Sequence, residues 1–124
     1  MRKAMVMMAL ALAVASVACS KSSSSSTGGT SGTASCTSAN ATALSGDLTV
    51  KDFAFHPNCF SVSAGSTISV TNQDTTTHTF TVDGTDVNVS LDPSTTHDAT
   101  APAPGTYSFH CSIHPVMTGT LVVT

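Results

Sequence analysis

The sequence predicts an all-β domain, an antiparallel Greek-key sandwich of two sheets, over residues 36–124. Three observations predict it. Apolar residues alternate in short runs, and Gly, Pro and Asp turn signals separate those runs at short spacing. Thr, Ser and Val dominate, as a pleated, half-buried surface prefers. No segment carries a helical period.

Taken in order, residues 1–18 read as a cleaved export signal. Arg2 and Lys3 precede an apolar run from Ala4 to Ala18, shorter than the about 20 residues of a membrane-spanning helix. Ser16-Val17-Ala18-Cys19 resembles a lipoprotein signal, in which the cysteine is lipidated and becomes the new N-terminus. Ser16 stands where leucine is commonest in that motif. Residues 19–35, rich in Ser, Gly and Thr, hold nothing apolar enough to order a backbone and read as a flexible tether. Its typical reach is roughly 20 Å.

The strands follow. Leu48 and Val50 share one parity and Phe53 and Phe55 the other, which predicts a bulge near Lys51-Asp52. Phe60 and Val62 alternate, Ala64-Gly65 turns, and Ile68 and Val70 alternate again. Phe80 and Val82 precede an Asp83-Gly84 turn, and Val87, Val89 and Leu91 alternate after it. Pro102 to Gly105 breaks the chain before Tyr107, Phe109 and Cys111, and Leu121 and Val123 close the domain. Five Phe, one Tyr and no Trp make a thin core, one that a metal and a disulfide would supplement.

Charge narrows the partners. The four basic residues are Arg2, Lys3, Lys21 and Lys51, and all seven acids are aspartates. Loss of the signal leaves two bases against seven acids, a net charge of −5 with neutral histidines. That balance argues against nucleic acid and fits solubility or a basic partner.

The chemistry concentrates in Cys111-Ser112-Ile113-His114-Pro115-Val116-Met117, where a thiolate, an imidazole and a thioether lie within one short loop. Copper suits this set. Thiolate and thioether are soft, imidazole is intermediate, and two imidazoles, one thiolate and a weak axial thioether form the copper arrangement for electron transfer. Zinc takes cysteines in pairs, or histidines with carboxylates, and has little use for a thioether. A second imidazole is needed from elsewhere. Strand parity puts Tyr107, Phe109 and Cys111 inward and His110 outward, and puts His78 on the face of Phe80 and Val82. Parity alone leaves His78 open between a ligand and a solvated turn residue, and leaves Met117 open between a ligand and a core filler.

The segment Gly105 to Val123, GTYSFHCSIHPVMTGTLVV, resembles the ligand loop and last strand of the cupredoxins, the plastocyanin- and amicyanin-like blue copper proteins. Its Cys-x-x-His-x-x-Met spacing is similar to that of the short-loop, amicyanin-like members. Phe53-Ala54-Phe55-His56-Pro57, Ala64-Gly65-Ser66-Thr67-Ile68 and Thr71-Asn72-Gln73-Asp74 ahead of His78-Thr79-Phe80 follow the same order. The resemblance covers residues 47 to 124 and implies one copper held by His78, Cys111, His114 and Met117. It also implies that the Thr79 N–H donates to the Cys111 sulfur and that Thr79 and Ser112 brace each other, two hydroxyls where asparagine is frequent.

With Cys111 on the metal and Cys19 on lipid, Cys36 and Cys59 remain to pair as a disulfide in an oxidising compartment. His114 lies on a loop, so its ring edge is expected at the surface, rimmed by Pro115 and Val116, with His78 buried.

The function expected is a monomeric, exported one-electron carrier in the periplasm or at the cell surface, membrane-tethered through Cys19. Redox partner proteins would dock near His114. The alternative is copper handling, storage or delivery, which would favour methionine-rich clusters; past the signal, Met117 is the one methionine. An enzyme is not expected. In copper nitrite reductases the histidine before the copper cysteine, here His110, binds a second copper, and multicopper oxidases use histidines on both sides, where this sequence has Ser112. Both draw on further domains and histidines. His56 and His97 read as solvated surface.

Overall fold

Period-2 alternation of Val, Leu, Ile and Phe with Thr and Ser builds strands that bury one face each. The computed structural model describes residues 35–124. The signal at 1–18, Cys19 and all of the tether except Ser35 lie outside the described residues. Ten strands occur in the described part: β1 (Thr42–Ala43), β2 (Leu48–Lys51), β3 (Ala54–His56), β4 (Cys59–Val62), β5 (Thr67–Asn72), β6 (His78–Val82), β7 (Asn88–Leu91), β8 (Thr96–Thr100), β9 (Gly105–His110) and β10 (Thr118–Val123). They form two sheets, ordered β1-β4-β10-β9-β6-β7 and β3-β2-β5-β8.

The all-β sandwich is as the sequence predicts, but its sheets are mixed rather than purely antiparallel. β4 runs parallel to β1 and to β10, and β2 runs parallel to β5. The cause is the path of the chain. It passes from β3 across to β4 and back to β5, so strands re-enter a sheet in a direction already taken.

Between the sheets lies a core built on four phenylalanines. Phe109 sits at its centre, with ring centroids 5.0 Å from Phe55, 5.5 Å from Phe60 and 5.3 Å from Phe80. Offset and edge-on contacts of this kind are the favourable ones for aromatic rings. Across the ladder Phe109 faces Gly119. A Cβ on Gly119 would overlap the Phe109 ring and lie 2.6 Å from the Asn58 carbonyl oxygen, so glycine leaves the room that Phe109 fills. Phe109 precedes Cys111 by two residues, and both belong to the same buried core.

The predicted bulge at Lys51-Asp52 is instead a two-residue hairpin loop. β2 and β3 pair antiparallel with Lys51 opposite Ala54 and Val50 opposite Phe55. A two-residue loop puts an even-numbered and an odd-numbered residue on the same face, which produces the parity switch without any extra residue in a strand. Asp52 (φ 54°) and Phe53 (φ 57°) are both in the left-handed region that such tight turns require. Phe53 leaves the core as a result and is 49% exposed.

The N-terminal segment is fastened to the sandwich by a disulfide between Cys36 and Cys59, with Cα atoms 5.6 Å apart. Cys59 opens β4, the neighbour of β10, so the bond ties this segment beside the strand that leaves the Cys111–Met117 loop.

Candidate metal centre

At one end of the sandwich, β6 begins and β9 ends. His78 is the first residue of β6 and is fully buried, on the same face as Phe80 and Val82. Cys111 follows β9 and is also fully buried. The chain then turns back through a short loop. The Met117 N–H donates to the His114 carbonyl (2.9 Å) and the Cys111 N–H to the Met117 carbonyl (3.0 Å), closing the loop before β10. Met117 is buried at its base and His114 is only partly covered.

Three donor atoms converge here. His78 Nδ1 lies 3.1 Å from His114 Nδ1, and Cys111 Sγ lies 3.9 Å and 3.7 Å from those two nitrogens. Edges of this length suit nitrogen and sulfur donors around a single ion at about 2.0–2.3 Å. His78 Nε2 is 2.9 Å from Asp74 Oδ2. With Nε2–H donating to that carboxylate, the Nδ1 lone pair is left aimed at the other two donors. Two imidazoles and a buried thiol facing one point form a cradle that a soft cation satisfies, and the donor set is that of copper. Among the described residues, no other group of three or more His, Cys, Asp or Glu side chains is close enough to hold a metal ion.

The surroundings hold the donors in place. The Thr79 N–H donates to Cys111 Sγ at 3.3 Å. Thr79 Oγ1 lies 2.9 Å from Ser112 Oγ and accepts the Ser112 N–H at 2.8 Å. The two hydroxyls thus link the strand carrying His78 to the loop carrying Cys111.

Sequence reasoning assigned no role to Asn72, Asp74 or Phe53. Asn72 is fully buried, and its Nδ2 donates to the carbonyls of Thr76, Leu91 and Asp92 while its Oδ1 accepts the Asp74 N–H. This amide shapes the loop that delivers His78. Asp74 accepts the N–H of Asp52 (2.7 Å) and of Phe53 (3.0 Å) in addition to its bond with His78. Burial pushes its carboxyl pKa up, but the bonds from Phe53, Asp52 and His78 outweigh that and hold it below the ordinary value. Phe53 stands edge-on to both histidines, at 5.3 Å from His78 and 5.1 Å from His114 between ring centroids. The available signal was the spacing of Asp74 four residues before His78; the sequence placed Phe53 on the strand face of Phe55, not at the site.

The remaining histidines lie away from the centre. His110 faces out, with Nδ1 2.9 Å from Asp83 Oδ1, and His56 and His97 are exposed on β3 and β8.

A family model described as a cupredoxin-like domain matches residues 6–123. No curated protein sequence matches the chain. Solved structures of amicyanin are similar in fold. A reduced amicyanin variant superposes with a TM-score of 0.56 at 22% identity, covering 66% of this chain and 82% of that one. The Cu(I) form of a second variant gives 0.55 at 22% identity over 62% and 79% of the two chains. A third, also reduced, gives 0.55 at 20% identity over 71% and 86%.

Proposed function

The chain belongs to the cupredoxin-like family, and on that premise we propose that it is an exported one-electron carrier built around one copper ion. His78, Cys111, His114 and Met117 would hold it, with the Met117 thioether the weakest of the four donors. The observation that carries this reading is the convergence of two imidazole nitrogens and one buried sulfur, with a peptide N–H already directed at that sulfur.

When bound, copper supplies the redox couple, passing between Cu(II) and Cu(I). The chain's part is to keep the donor arrangement constant through that change. His78 begins β6 and Cys111 follows β9, and both are fully buried, so their donor atoms have little freedom to rearrange. The Thr79 N–H stabilises the charge on the thiolate, a charge-assisted bond that also sets how readily the centre is reduced. The Thr79–Ser112 pair keeps that N–H aligned.

His114 is the contact through which electrons enter and leave. It is only partly covered, and Ile113 (52% exposed), Val116 (85%) and Phe53 (49%) stand around the loop as an apolar rim. A patch of this kind suits brief docking of a redox partner, with the aspartate-rich surface steering the encounter from further out.

Export follows from the signal, and the disulfide fits an oxidising compartment. Lipid at Cys19 and the tether after it would keep the domain near a membrane.

Adding Cu(II) to the thiol-reduced-at-Cys111, metal-free protein tests the reading. An intense visible thiolate-to-copper band is expected, and Cys111→Ser should abolish it with most of the Cu(II) affinity, because a hydroxyl is a poor soft ligand. An unchanged spectrum in Cys111→Ser would remove the site assignment.

A further inference from the structure

We propose that the Asp52–Phe53 turn is a clasp over the metal centre, fastened by Asp74, and that Phe53 and Asp74 are positioning residues for both histidines. The inference rests on the copper reading above and deepens it.

The turn is unusual in its residues. Two successive left-handed positions normally call for Asn, Asp or Gly, and here the second is Phe53. Such a conformation persists only where the surroundings over-determine it. The Asp74 carboxylate does this by accepting both turn N–H groups, one on each oxygen. The same carboxylate accepts His78 Nε2. One side chain therefore fixes the turn and one histidine together.

What the conformation achieves is the placement of Phe53. Rather than filling the core two residues before Phe55, its ring meets the rings of His78 and His114 at right angles. Those histidines come from separate elements, a strand start and a loop. Among the described residues, the hydrogen-bonding contacts of the His114 ring are through Nδ1 alone, to His78 and Cys111. Among the described residues, Phe53 is the aromatic ring outside the ligand set that packs against His114. Held there, it resists the outward swing that would free His114 and open a path for copper to leave.

The test has two arms, both on the mature protein. In the first, metal-free protein is followed by NMR. Proton contacts between the Phe53 ring and both imidazoles are expected, with slow exchange of the Asp52 and Phe53 amides. Asp74→Ala should speed that exchange by about tenfold or more and remove the Phe53–His114 contacts. Asp74→Asn, which keeps one acceptor oxygen, serves if the alanine variant does not fold, and should speed exchange at one of the two amides. In the second arm, release of copper to a chelator is timed. Phe53→Leu should accelerate it about tenfold, with Phe53→Tyr restoring the original rate, because two edge-on ring contacts are lost in the first and kept in the second. Amides as protected in the Asp74 variants as in the parent, or an unchanged release rate in Phe53→Leu, would overturn the clasp. Failure of the parent protein to take up copper would instead sink the copper reading, and the first arm would then decide the clasp by itself.

Discussion

At the scale of single residues, the four proposed ligands are unequal, and a substitution at the weakest is the sharpest check on their roles. Met117 is buried under the loop, yet a thioether contributes least to binding among these donors. Met117→Leu should keep the visible band and shift the reduction potential, which voltammetry of the two proteins would show. Loss of the band in Met117→Leu would mean that the roles are misassigned. Asp74 gives a prediction in pH. Its carboxyl is held below the ordinary 3.8, so its contribution to stability is complete above that pH and is lost as pH falls through the lower folded-state value. Unfolding midpoints of the metal-free protein should therefore drop below about pH 4 more steeply than those of Asp74→Asn; parallel curves would show that Asp74 is not coupled to folding. Cys111, His114 and Met117 were readable in the sequence because ligand spacing is local. For His78 parity left a ligand and a solvated turn residue both open, and the family resemblance made it the expected second imidazole; the strand start then buries it beside Cys111. Asp74 and Phe53 were not, because their roles depend on a turn that brings residues 52–53 against 74, 78 and 114.

At the scale of elements, the sequence pattern located the sheets and the turns at Ala64-Gly65 and Asp83-Gly84, but read the Asp52-Phe53 turn as a bulge. The switch between Val50 and Phe55 has two physical solutions, an extra residue within a strand or a two-residue loop between strands. The sequence carries no Asn-Gly signal to separate them. Directions within each sheet were also beyond local pattern, since the parallel pairs follow from crossings between the sheets. The disulfide was legible by a different route, the count of cysteines. It closes a loop of sequence separation 23, for which chain entropy predicts about 3 kcal/mol of stabilisation. A double Cys36→Ser, Cys59→Ser variant should lose about that much in denaturant unfolding. No loss would mean that the N-terminal segment is held by β1 and its packing without the bond.

At the scale of the whole molecule, the proposed function joins an exported, tethered domain to a copper centre with the partly covered His114 at its edge. The proposed lipid anchor makes a separable prediction: Cys19→Ser should move the protein from the membrane fraction to the soluble one without altering the copper spectrum. Retention in the membrane fraction would rule out a lipid anchor at that cysteine. The central claim, that this centre carries electrons rather than passing copper on, is tested most directly by optical redox titration of the copper-loaded protein. The account predicts one intense visible band that bleaches with a single electron and returns fully on reoxidation, through repeated cycles, with copper retained. A colourless protein that holds only Cu(I) and yields it quickly to a chelator would contradict it.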